Sequence, residues 1–183
     1  MDHLGQPYYA GLLSAAQFHG AAHQKPQEFQ VVVRINRPEI RCGQVRVRFV
    51  ARRNVAEVTT EVVNTARGTL RVSSPEATAF DLVGYPDRCG GISNVATVLG
   101  ELAERLRPDR LLQESVHSPL PWLQRLGFLL ERVGAVELWE ALSARVREEA
   151  DAYVPLRVGR AVSAVSRDSR WKILINENVE SDL

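Results

Sequence analysis

The stretch Arg71 to Pro86 reads R-V-S-S-P-E-A-T-A-F-D-L-V-G-Y-P, and it divides the chain into two patterns. Before it, apolar and polar residues alternate, as in strands with one buried face. After it, apolar residues recur at three and four, as in helices. The divide carries explicit start chemistry. Ser73 or Ser74 offers a hydroxyl to the unpaired amides of a helix start. Pro75 falls in the first turn, where its missing N–H costs nothing. Glu76 adds negative charge near the positive helix end, and Ser73 to Glu76 has capping-box spacing. Ala77, Phe80 and Val83 then form a one-sided apolar stripe. Gly84 and Pro86 stop the helix. Asp81 sits beside the stripe, and the expected role of such a carboxylate is pairing with an arginine or capping an amide.

Strand patterns precede this divide. Phe29 to Ile35 alternates, with Phe29, Val31, Val33 and Ile35 on one face and Gln30, Val32 and Arg34 on the other. Asn36 to Gln44 reads as a loop. Val45 to Val50 reads as a strand with Val45, Val47 and Phe49 inward and Arg46 and Arg48 outward. Val58 to Thr65 and Thr69 to Ser73 read as a hairpin closed by Ala66-Arg67-Gly68. The opening Tyr8 to His19 reads as a helix ended by Gly20. Beyond the divide, Ile92 to Leu106 carries the clearest amphipathic period. Further helices are expected over Pro108 to Glu114, from Trp122 to Gly134 and around Leu138 to Val146. Val154 to Val158 and Trp171 to Ile175 read as late strands. The expected class is therefore α+β: an Arg-rich, mostly antiparallel sheet from residues 29–73, packed with a helical half over 75–150. The strands near 154–158 and 171–175 are expected to rejoin that sheet and make residues 1–183 a single domain.

The length of 183 residues and a hydrophobic content of 45% suit a packed core. The net charge of +1 gives no global polybasic signal. Its distribution is uneven: Gln30 to Val72 holds nine arginines against three glutamates. Arg34, Arg46 and Arg48 are expected to share a sheet face, with Arg52 and Arg53 just beyond the strand. Such planar cations suit phosphate or an acidic protein surface. Aromatic residues do not interleave with them, which argues against a base-stacking platform. His19 and His23 have ligand spacing but Gly20 intervenes and no third ligand stands nearby, so no metal is expected. Cys42 and Cys89 are read as free thiols. There is no nucleophile elbow, P-loop or G-x-G-x-x-G, so neither catalytic residues nor a cofactor are expected. Trp122 and Trp139 are read as core anchors. No apolar run reaches membrane-spanning length, and the first residues lack the regions of a signal peptide, so a cytoplasmic location is expected.

Six segments in order resemble the C-terminal domain of abortive-infection type E antitoxins, of the type IV toxin–antitoxin class. They are Y-Y-A-G-L-L-S-A-A-Q-F-H-G-A-A-H at Tyr8 to His23, V-R-V-R-F-V at Val45 to Val50, and S-P-E-A-T-A-F-D-L-V at Ser74 to Val83. G-G-I-S-N-V-A-T-V-L-G-E-L at Gly90 to Leu102, R-L-G-F-L-L-E at Arg125 to Glu131 and W-K-I-L-I-N-E-N-V-E at Trp171 to Glu180 complete the set. The resemblance implies a non-enzymatic antitoxin that counteracts a nucleotidyltransferase-like toxin. It also implies a role alongside a winged-helix domain that binds operator DNA and represses the operon. Because the match begins at Tyr8, that winged-helix domain is expected to be absent here. Two other readings stay open on the residues alone. One is a metal-dependent, nuclease-like hydrolase; the other is a module that dimerises through the helices after Ile92.

Overall fold

The computed structural model describes residues 6–21, 28–66 and 68–179, apart from the side chain of Cys42. In chain order the first half comprises β1 (Tyr8–Ala10), α1 (Leu12–Phe18), β2 (Phe29–Val33), β3 (Ile40–Cys42), β4 (Val45–Ala51), β5 (Thr60–Thr65) and β6 (Gly68–Ser73). The second half comprises α2 (Pro75–Gly84), α3 (Ile92–Leu102), α4 (Pro108–Ser115), α5 (Leu120–Arg132) and α6 (Val136–Glu149), then β7 (Val154–Pro155), β8 (Ser166–Asp168) and β9 (Ile173–Ile175). The class is α+β, as expected, with 43% of the described residues helical and 22% in strands.

The larger sheet has the order β3-β4-β2-β1-β6-β5. Three of its five pairings are antiparallel, as expected, and the sheet is mixed because β2 pairs with β4 and β1 with β6 in parallel. Parallel neighbours cannot be joined by a tight turn, so their pairing leaves no short-range mark in the sequence. The β5–β6 hairpin is antiparallel, as its turn predicts. Two segments differ from expectation. Tyr8–Ala10 is a strand that fills the place between β2 and β6, and the helix begins only at Leu12. The aromatic pair there suits a sheet, whose ladder it completes. Within the expected loop 36–44, Ile40–Cys42 pairs with Val45–Val47 as the edge strand β3.

The late strands do not rejoin this sheet. β7, β9 and β8 form a second sheet of their own, with β9 in the middle. Its anchor is Trp171, which is fully buried against α5. A Cβ added at Gly127 in α5 would lie only 1.9 Å from the Trp171 ring, so glycine is what lets the indole reach the helix backbone. The Gln124 amide donates to the carbonyls of Ala152 and Trp171 at 3.1 and 3.2 Å, and Arg125 Nε donates to the carbonyl of Pro155 at 3.0 Å. The Trp171 indole N–H donates to Glu131 Oε2 at 2.5 Å, and Trp139 meets the ring edge-on. The second sheet is thus held to α5 by both apolar and polar contacts.

Helix α2 begins as the local chemistry predicts and then departs from it. Ser74 Oγ accepts from the Ala77 amide at 3.1 Å, with Pro75 in the first turn. The capping box from Ser73 to Glu76 does not form. Ser73 instead bonds Thr78, and Glu76 accepts the Arg107 amide at 3.2 Å. The expected one-sided stripe is also exceeded. Every residue from Glu76 to Val83 is buried, because α1, α3, α4, α5 and β6 all pack on this helix. The largest core cluster accordingly runs from Tyr9 to Ile173, through Phe80, Leu99, Leu126 and Trp171. A separate cluster of Val31, Val33 and Phe49 lies on the sheet with Tyr8, Phe29 and Val47. β2 is therefore buried on both faces, since Val32 joins the large cluster.

Gly127→Ala should destabilise the fold by about 1–3 kcal/mol, the range for overpacking a filled core. A drop in the urea midpoint together with loss of buried-tryptophan fluorescence would register the displaced Trp171; an unchanged midpoint would refute the close fit.

Candidate functional site

The strand alternation that carries the arginines has a consequence at its end. Arg46, Arg48, Val50 and Arg52 occupy alternate positions, and Val50 belongs to the large core cluster. Arg46 and Arg48 lie toward the open end of this side, where both pair with Glu28. The distances are 3.0 Å from Arg46 Nη1 and 2.8 Å from Arg48 Nε. Arg52 lies at the covered end and is only 4% exposed. Its backbone extends the ladder by donating to the Val33 carbonyl at 2.9 Å. Arg34 and Arg53 are exposed. The five arginines therefore do not form one surface. Arg52 is an interior residue, Arg46 and Arg48 share one carboxylate, and Arg34 and Arg53 face solvent.

A guanidinium has five N–H donors, and burial requires partners for them. Arg52 Nε donates to Asn54 Oδ1 at 3.0 Å. Nη1 donates to Asp81 Oδ1 at 2.6 Å and to the Tyr9 hydroxyl at 3.4 Å. Nη2 donates to the His117 carbonyl at 3.0 Å and to Ser118 Oγ at 3.5 Å. The guanidinium carbon lies 5.2 Å from the centre of the Trp122 ring. Tyr9 closes the circuit by donating to Asp81 Oδ2 at 3.0 Å. Trp122 approaches because residue 84 is glycine: a Cβ there would lie 2.4 Å from the ring. Tyr85 then packs edge-on against the same indole and donates to the Ala51 carbonyl at 2.8 Å. Asp81, fully buried, thus pairs with an arginine as expected. Tyr9, Asn54 and Trp122 complete the site, and the sequence alone does not single them out as its members. The signal for Arg52 is its place two residues beyond an inward Val50.

Burial pushes the Asp81 carboxyl up, while Arg52 and the Tyr9 hydrogen bond pull against that shift. Burial likewise works against the charge of Arg52, but Asp81 and Tyr9 outweigh it and hold the guanidinium above its ordinary value. Burial, then the Asp81 charge, raises the Tyr9 phenol well above its usual range. Burial also pushes Tyr85 up to about 12. The Cys89 thiol is free, buried and raised by burial, a structural cysteine rather than a nucleophile. The His19 ring donates through Nε2 to the Ser73 carbonyl at 2.8 Å, whereas His23 lies outside the described residues. Among the described residues no group of three or more His, Cys, Asp or Glu side chains is placed to hold a metal ion. None of their helices is long and apolar enough to cross a membrane.

With this geometry in view, the family model for the AbiEi antitoxin C-terminal domain matches residues 9–132. The chain belongs to that family. The crystal structure of the RV2827C protein from Mycobacterium tuberculosis is similar in fold, with a TM-score of 0.64 at 16% identity. The match covers 91% of this chain and 61% of that one, so the chain spans about three fifths of the solved protein. No curated protein matches the chain. Family membership supports an antitoxin role in an abortive-infection system.

The matched span of this AbiEi antitoxin C-terminal domain holds Tyr9, Arg52, Asp81 and Trp122, the side chains at the centre of the buried circuit. Arg52→Ala would leave the Asp81 carboxylate buried and unpaired, and it should cost about 3–5 kcal/mol in chemical denaturation. Arg52→Leu combined with Asp81→Leu should cost much less, since exchanging both charges for apolar groups is often near neutral. Equal losses in the two variants would remove the ion pair from its proposed structural role.

The phenols predict an alkaline limit. The folded state retains protons on Tyr9 and Tyr85 that the unfolded chain releases near pH 10. Their stabilising contribution is complete below about pH 10 and falls as pH rises toward the folded values. Denaturation midpoints measured from about pH 9 to 11 should decline, and Tyr85→Phe should flatten the decline. A flat wild-type profile would contradict this.

Proposed function

We propose that this domain is the antitoxin component of a type IV abortive-infection system, counteracting a nucleotidyltransferase-like toxin in the cytoplasm. The observation that carries the reading is the family match over residues 9–132, which includes the strand of arginines and the buried circuit beneath it. The antitoxin acts by binding rather than by catalysis, and needs no metal or cofactor. Residues 1–183 act as one unit.

Arg34, Arg46, Arg48 and Arg53 are its contact residues for the phosphate backbone of operator DNA. The charge balance supports this. Arg34 and Arg53 are solvent-exposed, and Arg46 with Arg48 places two guanidiniums on the single carboxylate of Glu28, leaving one positive charge in excess. The side chains of Arg46 and Arg48 are 43% and 35% exposed, so water-facing N–H groups remain for a phosphate. Arg52, included among the contacts on sequence grounds, instead orients the strand end from inside.

Co-expression with the toxin gene beside it should restore growth, and persistent toxicity would defeat the antitoxin reading. For the DNA role, affinity should fall with salt. Arg34→Ser with Arg53→Ser should then lower the slope of log K against log salt by roughly 0.9 for each phosphate no longer neutralised. An unchanged slope would take those arginines out of the interface while leaving the growth assay to stand separately.

A further inference from the structure

A second site of opposite charge lies where the sheet meets α4. A cavity of 160 Å³ is lined there by Glu61 of β5, Glu76 of α2 and Glu114 of α4, with Arg110 the one basic side chain. Thr59, Ser74 and Gln113 complete the wall. The carboxylates are not equivalent. Glu76 is answered by the Arg107 amide. Glu114 is only 3% exposed, and only its Oε2 is engaged, by the Thr59 amide at 3.4 Å. Its Oε1 is buried without a hydrogen-bond partner. The nearby Arg52 does not supply one, since its donors go to Asp81, Tyr9, Asn54, His117 and Ser118. A buried carboxylate left half-matched in the wall of a charged cleft asks for a donor.

Size and surroundings narrow what that donor is. The cavity is smaller than the roughly 300–1,000 Å³ typical of small-molecule sites, so it suits one inserted group. The acids are not grouped as a metal site among the described residues. Leu112 of α4 and Val116, the residue that caps its C-terminal end, are 42% and 63% exposed. Val116 also lies one turn from Gln113 of the cavity wall, so an apolar strip borders an acidic cleft. β5 is the edge of its sheet, which leaves that flank open to approach.

We infer that this cleft receives a basic side chain, arginine or lysine, from a protein partner whose flanking apolar residues cover Leu112 and Val116. The cation answers the half-matched carboxylate of Glu114 in the cleft wall, whose side chain turns to present Oε1, and Glu61 at the rim adds charge attraction. This inference does not depend on the DNA role of the arginines or on which toxin is counteracted.

The test uses the full chain, labelled with ¹⁵N, titrated with N-acetyl-arginine amide, N-acetyl-lysine amide and magnesium chloride in separate series. The Thr59 and Gln113 amides are the reporters. Saturable shifts with either basic amide are expected. Glu114→Gln should weaken binding by about tenfold or more, the loss of a charge-assisted bond. Glu61→Lys, an exposed change that leaves the core intact, should weaken it as well. The inference is overturned if neither amide gives a saturable shift, or if both variants bind as the wild type does. Saturation by magnesium at lower concentration than by the amides would make this an inorganic cation site and overturn it too.

Discussion

The Arg52–Asp81 ion pair is the constraint around which the two halves of this fold meet. Arg52 arrives at the end of β4, Asp81 from the middle of α2, Tyr9 from β1 and the His117 carbonyl from the turn before α5. Taking two charges out of water is unfavourable unless geometry and further hydrogen bonds compensate. Here all five guanidinium donors have partners, and both Asp81 oxygens are engaged. The pair is weak evidence for net stability but strong evidence for register. A shift of β4 by one residue would turn Arg52 out of the core and leave Asp81 alone in it.

That requirement explains why α2 is buried all round although its sequence shows only one apolar stripe. Asp81 and Thr78 are polar, yet both are matched internally, by Arg52 and by Ser73 with the Ser74 carbonyl. A polar residue with a partner in the fold packs as if it were apolar. Pattern reading counts side chains one at a time, so a helix whose polar residues are paired elsewhere in the chain looks half-exposed. The same reasoning applies to Gly84 and Gly127. In the sequence Gly84 reads as a helix stop; in the fold Gly84 and Gly127 admit the rings of Trp122 and Trp171.

The features legible in the sequence are those set by neighbours in the chain. The Ser74 cap, the β5–β6 hairpin, the amphipathic α3 and the pairing of Asp81 with an arginine all rest on local chemistry or on one desolvation rule. The features not legible depend on distant partners. Tyr8–Ala10 becomes a strand because β2 and β6 offer a place for it. The late strands form a separate sheet because Trp171 finds α5, a partner some forty residues away in the chain. Sequence pattern groups Arg52 with Arg46 and Arg48 as a surface cation, although the same alternation runs through Val50 into the core. Where helices cover a sheet face only partly, alternation specifies the side and leaves the depth open.

Two buried carboxylates show how the fold divides its charges. Asp81 and Glu114 are close enough for the charge of one to be felt by the other. Arg52 commits its donors to Asp81 and the groups around it, and Glu114 keeps an oxygen without a partner. If fold stability were the only demand at that position, glutamine would meet the Thr59 amide with less charge to bury. An ionisable group held at the wall of an open cleft is better explained by something outside the chain than by packing. The arginines left at the surface carry the opposite imbalance, two guanidiniums on Glu28 and two more in solvent. The charge of Asp81 is therefore settled inside the fold by Arg52, the Glu114 carboxylate stays half-matched at the wall of its cleft, and the excess positive charge lies on the surface.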